Sequence, residues 1–509
     1  MSAAMMIGVD VGTSGTKAAL VTPAGDVVHE AARETRLHRG ADGSVEQDPA
    51  ELLGSAQAVI GECGARADGA AVVAIGVSGQ MAGILGVDAG GHPVTPYDSW
   101  LDHRCTPQLE AIEAACGETV FELTGAPPMI AHAPKMAWWR DEHPRLYASV
   151  ARWLTPSAWV GLSLIGAPAA RAWVDHTHLH FSGLADTRAA VWSDRLWRAL
   201  RLDPGQLPGI VAPWAVMGGL SAAMADATGL PAGVSVVAGA GDTAAGALGA
   251  GIVAPGQLLD SAGSASVLLA AVDESRPDVD GGTLITMRGA LPGQWLCLSY
   301  VAGGGLCLGH LAELCRQPGA GGPDFASVTT VLDGVDALDP GASGLLFVPH
   351  LDGRVLPPSP DLKGGWVGLG FEHRRPHLAR AVLESIAFEY AGFLAAMTRL
   401  HPDTVWQTVR AVGGGARSPL WNGIKADVLG LPVERVGHDE VAALGAALLA
   451  GHGAGAIADL AAAASKVPAG EPHLPADERH ALYERCRARY ETAVDALERL
   501  TRQAAGALP

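Results

Sequence analysis

Charge is scarce in this sequence. Charged residues make up 17% of 509 positions, and the balance is acidic, 53 Asp and Glu against 35 Lys and Arg, for a net −18. That excludes a protein that grips nucleic acid through a broad basic face. It leaves room for a nucleotide held locally by backbone N–H groups and a metal. Cysteine is sparse too. The seven, Cys63, Cys105, Cys116, Cys297, Cys307, Cys315 and Cys486, are odd in number and make no Cys-x-x-Cys pair. A zinc ribbon and a disulfide framework are thereby excluded, and free thiols in a reducing cytoplasm are expected. No apolar run makes a comfortable membrane span. The two nearest, Thr243–Leu259 and Val441–Ile457, are rich in Gly and Ala, and the first follows Asp242 and is broken by Pro255. Met1–Val11 lacks a basic start and runs into a strand pattern, so no secretory leader is expected. Phe (7) and Tyr (6) are few beside 13 Trp. Trp138, Trp139 and Trp153 are expected in the core.

Apolar residues and glycine are plentiful, at 49% and 66 residues, which predicts well-packed globular structure of two or three domains. The pattern alternates strands with helices, an α/β class. Ile7–Val11 reads as a strand, Gly12–Thr16 as a turn and Lys17–Thr22 as a returning strand, followed by a further strand at "VVHEAA". "GQLLDSAGSASVLLAAV", Gly256–Val272, repeats the plan of apolar strand, Asp, small-residue turn and apolar strand. Two related halves follow, 1–247 and 248–509, with the boundary at Ala247. Helices are expected over about 377–397 and 476–504, and from Ser418, an N-cap followed by Pro419, to Leu429.

Three stretches carry chemistry. In "DVGTSGTK" the glycines permit close backbone approach, and successive N–H groups form an anion nest. Thr13 and Ser14 add hydroxyls, and Lys17 adds a cation. Asp10 beside a phosphate calls for a divalent cation between them. In "VAGAGDTAAGALGAG" Asp242 is the single charge in a long small-residue run. A buried carboxylate there is costly unless it is used, as a catalytic base or a helix cap. In "GGGARS", Gly413–Ser418, three glycines between strand and helix leave a side-chain-free floor for a flat ring or a phosphate.

Taken with "GVSGQMAG", "SWLDHR", "APKMAWWRDEHP", "GGWVGLGFEHRRPHLARAVLESIAF" and "VGGGARSPLWNGIKADVLGLPV", these motifs resemble the FGGY carbohydrate kinases, in their xylulokinase-like branch, over nearly the whole chain. The resemblance implies two ribonuclease-H-like domains of the actin/hexokinase/Hsp70 ATPase fold, facing each other across a cleft. It implies ATP as phosphoryl donor and Mg²⁺ oriented by Asp10, through water. Gly12, Thr13, Ser14 and Lys17 would meet the phosphates from one domain, and Gly263 and Ser264 from the other. Gly414, Gly415, Ala416 and Asn422 would border the adenine. Gln80, Met81, Trp100, Asp102, Arg104 and Asp242 would contact the sugar, with Asp242 as general base. A cytoplasmic enzyme is implied, forming a homodimer and having no nucleic-acid or membrane partner.

Two positions depart from the xylulokinase pattern. Met81-Ala82-Gly83 stands where Met-His-Gly is usual, and Asp242-Thr243 stands where Asp-Asn is usual. The acceptor is therefore read as a pentulose such as D-xylulose, with ribulose, a polyol or a sugar acid as alternatives. A non-catalytic nucleotide or sugar sensor of the same fold is the further alternative. "DHTHLH" places His176, His178 and His180 at alternate positions, expected on one face of an exposed strand.

Overall fold

The computed structural model describes residues 4–315 and 325–505. Two six-stranded sheets organise it. The first is built from β1 (Ala4–Val11), β2 (Gly15–Val21), β3 (Val27–Glu34), β4 (Ala71–Gly79), β5 (Val216–Gly219) and β6 (Ser235–Val237), in the order β5-β6-β4-β1-β2-β3. The second contains β7 (Leu258–Ala262), β8 (Ser266–Val272), β9 (Ile285–Arg288), β10 (Trp295–Val301), β11 (Val409–Val412) and β12 (Val433–Arg435), in the order β9-β10-β8-β7-β11-β12. Both contain one plan. An antiparallel meander, β1-β2-β3 or β7-β8-β10, is extended on the far side of its first strand by two parallel strands. Those are β4 and β6 in one half, and β11 and β12 in the other. The expected repeat of the hairpin is thus a repeat of a whole sheet. Such parallel strands are buried on both faces, which accounts for the near-continuous apolar runs of β1 and β4.

Helices cover the sheets. They include α1 (Pro49–Ala65), α2 (His132–Glu142), α3 (Asp242–Gly249), α4 (Arg375–Leu400), α5 (Pro419–Leu429), α6 (Val441–Gly453) and α7 (Asp477–Ala505). Local chemistry sets their ends. The Ser418 side chain accepts the Trp421 N–H, Pro419 opens α5, and Gly430 closes it in the left-handed region. The Gly/Ala runs that mimic a membrane span become α3 and α6, two interior helices packed on each other. Among the described residues, α4 is the one helix long and apolar enough to cross a membrane. It is mostly buried in the second half's core, where its Arg380 and Glu384 pair with each other.

Two expectations need correction. Asp242 is the first residue of α3, and Gly241 holds the cap position, so Asp242 does not cap the helix. The stretch His176–Phe181 is not an exposed strand. It is a turn of 3₁₀ helix with His178 and His180 buried. Asp175 caps that turn by accepting the Thr177 N–H, a local bond that competes with strand geometry. Ala247, the expected boundary, lies inside α3.

Candidate active site

The ends of three parallel strands build the site. Asp10 lies near the end of β1, in register with Ser78 on β4. Gly79 ends β4 and bridges Gly241, the residue before Asp242. The two acids therefore stand at the same end of the sheet, on either side of β4, where open α/β sheets bind ligands. Each is perturbed. Burial and the neighbouring Asp242 charge push the Asp10 carboxyl up to about 7, against Lys17 and a 3.3 Å hydrogen bond from Ser78. Burial also raises Asp242, against the Thr243 hydrogen bonds and the nearby His178. Thr243 donates from its N–H (2.6 Å) and its hydroxyl (3.2 Å) to Oδ1 of Asp242. Among the described residues no donor reaches Oδ2.

The turn after β1 is held from outside. Gly12 donates its N–H to the Gly15 carbonyl (3.0 Å), and Gln47 Nε2 donates to the Thr13 carbonyl (3.0 Å). The Thr13 hydroxyl donates to Gln80 Oε1 (3.0 Å) and accepts from Trp100 Nε1 (2.9 Å). Gln80 and Trp100 thus meet this turn directly, although Trp100 is 45% exposed. Ser14 projects into solvent, its hydroxyl bonded to no described residue. Lys17 lies across from Asp10 in the β1–β2 register, and its ammonium pairs with Glu440 at 2.8 Å. Glu440 precedes α6, comes from the other half of the chain, and raises Asp10 further. Nothing local marks it, because its partner sits near the opposite end of the sequence.

Met81 packs against Gly241, where a Cβ would lie 2.6 Å from its Sδ. Asp102 and Arg104 are engaged with the protein. Asp102 is buried and accepts from the Val45 N–H (2.9 Å) and from Arg104, whose hydrogen bonds hold its carboxyl below the usual range although burial works to raise it. Arg104 also reaches Glu46 (2.6 Å) and Asp98 (3.1 Å) and lies over the Trp138 ring. The acids Glu46, Asp98 and Asp102 cluster closely enough to hold a cation, and this guanidinium is the cation they hold. Trp139 and Trp153 are buried as expected, and Trp139 Nε1 donates to Asp98.

In the second half, Gly263 and Ser264 form the β7–β8 turn, and their carbonyls accept N–H groups of the helix beginning at Gly304. Gly414–Arg417 is a 3₁₀ turn after β11, entered through Gly413 at φ 84°. A Cβ on Gly415 would lie 2.4 Å from the Trp421 ring and 2.7 Å from Ala262, so only glycine fits there. Asn422 is buried, and its Nδ2 donates to the Ala416 carbonyl (2.8 Å). Among the described residues its Oδ1 has no partner, which leaves a buried acceptor beside the glycine floor.

For a divalent cation, the Asp10 carboxylate and Ser78 hydroxyl supply oxygen donors, which suit a hard ion. The neighbouring acids leave Asp10 with unrelieved repulsion that such an ion would neutralise. The residues present therefore fit one.

The chain matches two family models, described as the N-terminal and C-terminal domains of the FGGY family of carbohydrate kinases, over residues 5–249 and 261–454. It is 31% identical over 484 residues to a xylulose kinase of Escherichia coli, covering 94% of this chain and 96% of that protein. A xylulose kinase of Bacillus subtilis is 28% identical over 459 residues, covering 88% of each. Among solved structures, the xylulose kinase of Rhodospirillum rubrum superposes with a TM-score of 0.89 at 28% identity, covering 98% of this chain and 100% of that one. The repeated sheets, the paired acids and these matches agree, and the chain belongs to the FGGY family of carbohydrate kinases.

Proposed function

We propose that this kinase transfers the γ-phosphoryl group of Mg·ATP to a hydroxyl of a ketose, a pentulose such as D-xylulose, in the cytoplasm. The carrying observation is Asp242. One carboxylate oxygen is anchored by Thr243 and the other has no donor among the described residues, the group is held above its ordinary range, and the turn after β1 lies across the end of β4, whose Gly79 bridges Gly241. A carboxylate so placed takes the acceptor proton as the acceptor oxygen attacks the γ-phosphorus and ADP leaves. Gly12, Thr13, Ser14 and Lys17 hold the phosphates from the first half, with Gly263 and Ser264 opposite. Gly414, Gly415, Ala416 and Asn422 border the adenine. Asp10 would hold Mg²⁺, which neutralises phosphate charge when bound. Trp100, Gln80 and Met81 line the acceptor end. Asp102 and Arg104 shape it from behind through their shared network. The seven unpaired cysteines suit a reducing compartment.

The test is ADP release with Mg·ATP across ketopentoses, pentitols, tetritols, glycerol and sugar acids. Strong stimulation by D-xylulose supports the reading. Stimulation by another compound alone replaces the pentulose assignment, and a flat panel removes it.

A further inference from the structure

We propose that Tyr97 and His178 decide which acceptor is taken, and that they select a neutral polyhydroxy compound over a sugar acid. This rests on the reading of Asp242 as the base that marks the acceptor end.

Tyr97 and His178, both near Asp242, each carry a buried polar atom with no partner among the described residues. Tyr97 is fully buried and its hydroxyl is unbonded. A Cβ on Gly83 would lie 2.0 Å from that oxygen, so the hydroxyl sits directly on the Met81–Gly83 segment. Met81 in turn packs on Gly241. The phenol, Gly83, Met81 and Gly241 form a contact chain leading to the base, and the Asp242 charge acts on the phenol. His178 approaches from another side. Its Nδ1 meets Asp175 Oδ2 at 2.7 Å, and its Nε2 is buried without a partner. The turn that carries it is tied to the base. The Thr177 hydroxyl donates to Asp175 and accepts the Gly241 N–H at 2.9 Å. His178 lies close enough to Asp242 to act on its charge.

A buried hydroxyl and a buried ring nitrogen left unbonded are a persistent cost, and native proteins keep few of them. Acceptor hydroxyls supply what both lack, since a hydroxyl donates and accepts at once. Ala82 removes one imidazole from this region, and His178 supplies another from a different segment. Charge decides the acceptor class. The Arg104 guanidinium is held by Asp98, Asp102 and Glu46. The Lys135 ammonium donates to the Ser99 and Asp102 carbonyls, each at 2.9 Å, and Lys17 is paired with Glu440. Burial lowers His132 and His180 to about 3, leaving them neutral. A carboxylate on the acceptor would face Asp10 and Asp242 with Arg104, Lys135 and Lys17 already engaged.

The experiment uses the full chain with Tyr97→Phe and His178→Asn, the latter keeping a donor within reach of Asp175. ADP release is measured at saturating ATP against D-xylulose, D-ribulose, xylitol, erythritol and D-gluconate. Neutral compounds and not gluconate stimulate the wild type. Each variant raises the KM of the best acceptor by about 10-fold or more, the size of a lost hydrogen bond, while the ATP KM stays at the wild-type value. Tyr97→Phe melts no lower than wild type without acceptor, yet loses the acceptor-induced rise in melting temperature. A purely structural tyrosine would leave that rise intact. Unchanged acceptor KM values in both variants overturn the inference alone, as does gluconate as the best acceptor. A wild type inert to the whole panel overturns the underlying reading as well.

Discussion

Asp10 and Asp260 hold equivalent places in the two repeated hairpins, yet their surroundings differ. Asp260 is fully buried, accepts from the Tyr390 hydroxyl (2.7 Å), and is ion-paired with Lys425. Among the described residues Asp10 has only Ser78 as a hydrogen-bond donor, and it feels Asp242 and Glu440. The first copy is therefore poised for an added cation, whereas the second is neutralised from within. Its raised pKa makes Asp10 a liability without metal. In the folded chain burial and the Asp242 charge push it up to about 7, from 3.8 for an unperturbed carboxyl. The native state keeps its proton where the unfolded chain has lost it, so stability present below the lower value drains away as pH rises to the upper. The Asp10→Asn variant should thus match wild type at about pH 4 and exceed it above about pH 7 in EDTA, by about 4 kcal/mol at most. Excess Mg²⁺ should shrink the gap. Denaturant melts across this range check it, and a gap independent of pH would refute the raised pKa. Asp242→Asn should lower kcat by on the order of 10²–10⁴-fold while ATP binding persists, and retained turnover would remove the base.

Among the elements, α5 joins the Gly414–Ala416 turn to the β7–β8 hairpin. Asn422 faces the Gly414–Ala416 turn, and Lys425, one turn further on, is buried over the Trp421 ring with its ammonium on Asp260 of β7. Lys425→Met leaves Asp260 charged and unpaired in the core. It should cost about 3–5 kcal/mol and raise the ATP KM, while adding Asp260→Asn should restore most of the loss. Equal unfolding midpoints for the single and double variants would contradict this pairing. The helix is legible in the sequence, because Ser418 and Pro419 are signals confined to a few residues. Both hairpins were readable for the same reason. The turn at His176–Phe181 was misread, because alternating histidines imitate a strand period while the Asp175 cap and burial beneath Gly241 decide the conformation. The Asp-x-Thr at Asp175–Thr177 was the available cue. Glu440 and Tyr97 offered none, since their roles come from contacts made across the fold.

At the scale of the molecule, α6 is the joint. It belongs to the second half, yet it lies on β1 and β4 of the first: a Cβ on Gly8 would lie 1.9 Å from the Ala443 carbonyl oxygen, and one on Gly76 2.2 Å from that of Ala446. It also meets α3 backbone to backbone, since a Cβ on Gly445 would lie 1.9 Å from the Ala245 carbonyl oxygen and one on Gly249 1.9 Å from that of Val441. One short helix thereby sets β1, the helix that carries Asp242, and Glu440 against one another. Adding bulk at this contact should move chemistry that it never touches. Gly445→Val must push α3 away from α6, and a displacement of about 1 Å at Asp242 is enough to lower kcat on the order of 10²-fold. Melting temperature should fall with it, because the interior there has no slack. Gly392→Ala is the matched control. That glycine lies within α4, and a Cβ there meets nothing within 4 Å, so the change should stabilise the chain by about 0.5–1 kcal/mol and leave kcat alone. If Gly445→Val kept full kcat, α6 would be a filler between the halves, and the alignment of base and phosphate would have to come from the strand ends alone.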